Sequence, residues 1–256
     1  MGSVKVITMK ILKEEPPLAD ECKLPWVIDA FLYPLNASGM VNLAVFVFLP
    51  RLVSFLVDIL AAFLSPFLQF GTPYIILLLT APFYIVFGCY VCYYVAHCII
   101  DSSRGHRRAS DVPIANTFDV GDLISQVIVL LGCAAVCFWP IAVYYILTQR
   151  TDVWFWLLAS YGIFFLPMSF LAGVMFDSFN ALNPLLVIRS ICRTFLPYCG
   201  LVLFFFAVSV FIVEVSPRLP VWIFVRRFIE IYLAFVLAHR LGWFYWWYKD
   251  KLDWGI

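Results

Sequence analysis

Charge is what this chain has least of. Only 13% of its 256 residues are Asp, Glu, Lys or Arg, against 64% hydrophobic and 19% aromatic, and its mean hydropathy is +0.96. So little charge excludes a soluble globular domain of this length, because the apolar surface exceeds what one core could hide. The 17 basic and 16 acidic residues nearly cancel to +1, which removes any electrostatic case for nucleic acid or a polyanionic substrate. Histidine is scarce, with three residues. A phosphate-binding glycine loop, a nucleophile elbow and a metal-ligand cluster in an aqueous segment are also missing. Neither an enzyme nor a bound cofactor or metal is expected. The N-terminal stretch lacks the unbroken apolar core of a secretory signal peptide, since Lys5, Lys10 and Lys13 interrupt "VKVITMKILK", and it reads as a retained cytoplasmic segment.

What the chain does have is long apolar runs. Six stretches, 39–66, 74–100, 122–147, 152–175, 195–215 and 221–246, are each long enough to cross the hydrocarbon layer as a helix. Pro50 and Arg51 interrupt the first, so 39–69 is either one kinked span or a re-entrant pair that would leave five spans. The fold class that follows is an all-α integral membrane protein with about six transmembrane helices plus short interfacial amphipathic helices. Residues 1–38 form a cytoplasmic N-terminal segment with an interfacial helix, 39–246 the polytopic domain and 247–256 a short cytoplasmic tail.

Basic residues set the orientation, because Lys and Arg in short loops collect on the cytoplasmic side. With six spans, one face receives Lys5, Lys10, Lys13, Lys23, Arg104, Arg107, Arg108, Arg189, Arg193, Arg240, Lys249 and Lys251, and the other only Arg150 and Arg218. Both termini are therefore expected in the cytoplasm. The polar interruption "MFDSFNALNPLLVIRS" at 175–190 then falls in a cytoplasmic loop. Asn183 followed by Pro184 is a helix-start signal, and Arg189 and Arg193 are four residues apart on one face. An interfacial helix over 184–194 is predicted, with both arginines on lipid phosphates and Leu185, Leu186 and Ile188 toward the apolar side. Trp26, Ile28, Phe31, Leu32 and Tyr33 of "LPWVIDAFLYPL" are expected to lie along the interface in the same way. "GWFYWWYKDKLDW" at the far end reads as an aromatic belt with two lysines.

The stretches "LPWVIDAFLYPLNASGM", "DVPIANTFDVGDL" and "FDSFNALNPLLVIRSI", in this order around the spans, resemble poorly characterised bacterial multi-pass membrane proteins with a Yip-type appearance. That resemblance implies a helical membrane domain with a cytoplasmic N-terminus, in a bacterial inner membrane. It brings no catalytic residues. Yip-type proteins are usually pictured with five spans, so a sixth departs from the pattern.

Ionisable groups inside spans are costly unless paired or wetted, so they are the candidate functional residues. These are Arg51, Asp58, Arg226, Arg227 and Glu230. Arg226 and Arg227 stand four and three residues before Glu230, which permits pairing within the last span. Depth matching predicts a second pair, Asp58 with Arg226 or Arg227, across the first and last spans. The cluster reads either as a structural lock or as a solute or proton pathway. His97 and His239, near cytoplasmic span ends, could face one another as haem ligands but read as ordinary interfacial histidines. Cys89 and Cys92 have metal-type spacing with no second pair to complete a site, and read as packing residues. "RRAS" at 107–110 is a short basophilic pattern.

The expected function is a non-catalytic membrane-organising protein or accessory subunit of a larger membrane complex. Its expected partners are the lipid bilayer, including anionic lipids, and other membrane-protein subunits. A small-solute transporter or channel using the intramembrane charges is the alternative.

Overall fold

The computed structural model describes residues 26–64, 72–106, 120–176 and 183–254. The N-terminal lysines, the "RRAS" pattern and the polar stretch 177–182 lie outside the described residues. Helix α1 (Trp26–Leu32) runs through a 3-10 turn (Tyr33–Leu35) into α2 (Ala37–Leu64). There follow α3 (Thr72–Ser103), α4 (Val120–Thr148), α5 (Val153–Phe176), the short α6 (Pro184–Arg193), α7 (Phe195–Val210) and α8 (Ile223–Leu252). A π-helical turn (Phe211–Val215) and a 3-10 turn (Ser216–Arg218) extend α7. Among the described residues there is no strand, and the chain is all-α.

Five helices are long and apolar enough to cross a membrane: α2, α3, α4, α5 and α7 with its extension. Sequence predicts about six, and α8 is the difference. At 30 residues it has the length, but Arg226, Arg227, Glu230, His239 and Arg240 dilute its apolar character. Its neighbours nonetheless place it inside the bundle, packed along α2, α3 and α7. Phe46 meets Phe235 at 5.9 Å and Arg51 lies over Phe224 at 6.0 Å, so α2 and α8 run antiparallel. Tyr94 meets Phe235 at 5.0 Å while Ile99 faces Gly242, so α3 and α8 run parallel. Tyr198 against Phe244 and Ser216 against Glu230 make α7 antiparallel to α8. Gly173 on Cys133 and Tyr144 on Asp152 close α4 and α5 into an antiparallel hairpin.

The long helices therefore alternate in direction. The start of α2, the end of α3, α6 and the end of α8 share one end of the bundle, called here the termini end. The α4–α5 and α7–α8 turns share the other, the hairpin end. Arg104, Arg193, Lys249 and Lys251 lie at the termini end, and Arg150 and Arg218 at the hairpin end.

Proline does not break the first span. Pro50, Pro82, Pro140 and Pro167 all sit inside continuous helices. Residues 37–64 are one helix, which removes the re-entrant pair. The carbonyl that Pro50 leaves without its amide donor is that of Phe46, one turn back, while Ser54 Oγ donates to the Pro50 carbonyl at 2.9 Å as helical serines commonly do.

Packing is uneven along the bundle axis. Leu43, Phe46, Tyr94, Ile99, Met168, Leu171, Tyr198, Phe235 and Leu241 form a buried core in the termini half. Toward the hairpin end the same helices bare their apolar side chains, such as Phe63 at 69%, Leu78 at 75% and Leu147 at 77% exposure. The α4–α5 turn is nonetheless well made. The Asp152 carboxylate accepts from the Tyr144 hydroxyl at 2.7 Å and from the Phe155 amide at 3.2 Å. The tyrosine bond holds this carboxyl below the ordinary aspartate range.

Candidate functional site

Of the five charges that sequence places inside spans, Arg226, Arg227 and Glu230 come together, while Arg51 and Asp58 stand apart from them. Glu230 serves both arginines as the spacing predicts: Arg227 Nη1 donates to Oε2 at 2.9 Å, and Arg226 Nε stands 3.7 Å from Oε1. Ser216 Oγ, carried past the π-helical turn of α7, donates to Oε1 at 2.8 Å. Arg51 is spent on the face of Phe224, a cation–π contact at the edge of its useful range.

The predicted pair of Asp58 with Arg226 or Arg227 does not form. Asp58 is exposed and makes no ion pair among the described residues. The reason is register. Arg51 already meets the first turn of α8, and Asp58 lies seven residues further along α2, about 10 Å beyond it. Glu230→Gln is therefore expected to be the costly change in this cluster, lowering stability by about 1–3 kcal/mol because two guanidinium groups lose their acid. Asp58→Asn should be close to neutral in thermal unfolding in detergent. A larger loss for Asp58→Asn would show that the acid has a partner.

A second polar cluster, at the termini end, is one that sequence reading reaches only in part. His239 is 1% exposed. Its ring stacks on Tyr33 with centroids 4.0 Å apart and 16° between planes, and its Nδ1 shares a 2.7 Å hydrogen bond with Ser102 Oγ. The hydroxyls of Tyr33 and Tyr94 both approach Cys98 but reach no partner at hydrogen-bond geometry. Burial pushes the Tyr33 phenol well above its ordinary range, so it stays neutral. His97 pairs instead with Asp101 at 3.2 Å. The two histidines thus bind different partners and do not face each other, and His239 is a core residue, contrary to the interfacial reading.

Chemically, Ser102 and His239 form a hydroxyl–imidazole pair, which is the first half of a nucleophilic site. Both groups are closed off, however, with Ser102 at 0% exposure. The arrangement joins α3, α8 and the turn after α1. Its signal in the sequence is a polar stripe: Tyr94, Cys98 and Ser102 recur every four residues on α3, facing His239 on α8.

The interfacial residues are also redistributed. Helix α6 starts where predicted, with Asn183 Oδ1 accepting from the Leu185 amide at 3.0 Å and Pro184 in the first turn. Val187, Ser190 and Ile191 face the bundle, and Leu185 and Ile188 point outward. Arg189 and Arg193 are both exposed. Arg193 is nonetheless held by the protein itself. Its Nη1 donates to the Leu252 carbonyl at 3.2 Å and lies 3.5 Å from Asp253 Oδ2, so it caps the C-terminal end of α8, where a cation is favoured. Trp254 Nε1 completes this clasp by donating to Ser190 Oγ at 2.8 Å.

At the N-terminal side, Ile28 and Leu32 stay exposed as an interfacial helix requires, but Tyr33 is buried. The Tyr232 hydroxyl donates to the Phe31 carbonyl. The expected aromatic belt is in large part core, since Trp243, Phe244 and Tyr245 are buried and Trp247 is exposed. No known protein family, no curated protein and no solved structure matches the chain. The Yip-type resemblance accordingly rests on the residues quoted for it.

Proposed function

We propose that this chain is a non-catalytic multi-pass membrane protein, an accessory subunit of a larger membrane assembly or an organiser of the bilayer around it. In this reading it resides in a bacterial inner membrane with both termini in the cytoplasm. The observation that carries it is the division of the bundle into a termini half with a buried core and a hairpin half whose apolar side chains are largely exposed. In the hairpin half, Leu52, Phe55, Leu56, Ile59 and Phe63 are exposed along one stripe of α2, at i, i+3, i+4, i+7 and i+11. A helix that turns such an apolar stripe away from its own chain can pack it against a helix of another, and association inside a bilayer depends on such side-chain contact. The packed half supports it: the α6–α8 clasp and the buried histidine make a rigid base. The charges of the hairpin end stand at a helix start beside an apolar groove, which fits structural pairing better than a hydrated path.

Two measurements test this. Mass determination of the protein extracted from its own membranes into nanodiscs should find a stable assembly containing a second kind of chain. A lone chain that conducts solute in proteoliposomes would replace this reading with the transporter. For orientation, Thr151→Cys in a background without native cysteines should react with an impermeant thiol reagent in intact cells, and Asp250→Cys only after permeabilisation. The reverse pattern would invert the topology.

A further inference from the structure

Between the 3-10 turn, the π-helical end of α7 and the middle of α8 lies an open groove of about 390 Å³, lined by Leu35, Phe211, Phe228, Ile229, Tyr232 and Leu233. Its lining is apolar except for the Tyr232 hydroxyl, and that is already committed to the Phe31 carbonyl. On α8 the groove covers residues 228–233, a rise of about 9 Å. That is too short a face to seat a transmembrane helix, but it suits a flexible hydrocarbon chain.

The groove has a polar mouth on one side. Arg226, Ile229 and Leu233 follow at i, i+3 and i+7, so Arg226 stands on the same stripe of α8 as the groove floor, one turn nearer the hairpin end. Glu230 neutralises one of the two adjacent arginines and leaves one positive charge over. Arg226 stays outside hydrogen-bond distance of Glu230 at 3.7 Å, and its Nε is buried with no hydrogen-bond partner. Arg227 spends one donor on Glu230 and keeps half of its side chain exposed. Both arginines lie in the first turns of α8, whose N-terminus has no side-chain cap and so adds a favourable field for an anion.

We propose that this is a phospholipid site: one acyl chain of a lipid from the leaflet at the hairpin end lies in the groove, and its phosphate is bound by Arg226 and Arg227. The occupant is a membrane phospholipid because the two halves of the site, a hydrocarbon slot and an unsatisfied guanidinium one turn above it, match the two ends of that molecule at the depth where the chain meets the headgroup. Neutral hydrocarbon leaves the arginines unanswered, and inorganic phosphate leaves the groove unused. The site belongs to the isolated chain and does not depend on the accessory-subunit reading.

The test is phospholipid retention by the purified full chain, measured by native mass spectrometry after detergent delipidation and re-addition of phosphatidylglycerol. Wild-type protein should retain one phospholipid per chain. Leu35→Trp, which fills the groove from the turn without altering α8, and Arg226→Gln should each lower retention about tenfold, with Arg226→Lys recovering most of it. Helical circular dichroism and elution volume report folding, and Ile229→Phe serves as groove filler if Leu35→Trp does not fold. Thermal protection by phosphatidylglycerol should exceed that by inorganic phosphate or by a long-chain alcohol. Undiminished retention in both folded variants, or equal protection by phosphate alone or by the alcohol alone, would overturn the proposal.

Discussion

Gly242→Ala is expected to destabilise the bundle by about 3 kcal/mol, at the upper end of what overpacking costs. A methyl group at this position would stand 2.4 Å from the Ile99 carbonyl oxygen, 2.5 Å from Ser102 Cβ and 2.9 Å from the Ser103 amide nitrogen. Two of these three atoms are backbone, which cannot rotate away as the end of a side chain would. Accommodating the methyl means pushing α3 and α8 apart where they run parallel and closest, and small residues at such crossings are what let membrane helices approach. Gly88→Ala and Gly200→Ala are the matched controls. Neither would meet anything within 4 Å, so removing a flexible glycine from a helix should leave stability unchanged or raise it by up to about 1 kcal/mol. All three variants can be compared by thermal unfolding in one detergent. If Gly242→Ala falls within the spread of the other two, the α3–α8 contact is not the tight seam of the fold.

The contrast among these glycines shows where sequence reading stops. Helices over the long apolar runs are legible because length and hydropathy decide them locally, and α6 is legible down to its Asn183-Pro184 start because a cap is a local device. The same holds for Glu230 with Arg226 and Arg227, whose separation within one helix fixes their distance. The alternating arrangement follows from counting spans, and among the described residues Arg104, Arg193, Lys249 and Lys251 lie at one end of the bundle with Arg150 and Arg218 at the other.

Relations between helices are another matter. The Asp58 pairing fails because depth within a span does not give the register of two helices against each other. Here the register is set by Phe46 on Phe235 and Arg51 on Phe224, and it leaves Asp58 beyond the start of α8. Arg193 looks like a lipid anchor in sequence because its real acceptors, the Leu252 carbonyl and Asp253, lie far along the chain. The terminal aromatics mislead in the opposite direction. A run of Trp, Phe and Tyr followed by lysines reads as an interface belt, yet α8 lies so deep among its neighbours that three consecutive aromatics are needed to fill the core around it.

The buried histidine is where this matters most, and its expected result is energetic coupling. Ser102→Ala removes the hydroxyl that meets His239 Nδ1 at 2.7 Å. It leaves a ring nitrogen in a site with 1% exposure, at a cost of about 1–3 kcal/mol. His239→Phe keeps a flat ring against Tyr33 and removes the nitrogen. The stranded Ser102 hydroxyl has a fallback that the imidazole lacks, since a serine in a helix can bond the carbonyl four residues before it. His239→Phe should consequently be the milder single change, and adding it to Ser102→Ala should restore stability where the same change costs stability in the wild type. The expected coupling is about 1–2 kcal/mol, read from a double-mutant cycle of thermal unfolding in detergent. His239→Ala, which also gives up the stack and leaves a cavity between Tyr33 and Trp243, should lose about 3–5 kcal/mol in the wild-type background. Strict additivity of Ser102→Ala and His239→Phe would mean that the hydroxyl and the imidazole are not joined, and that packing against Tyr33 alone holds His239 in place.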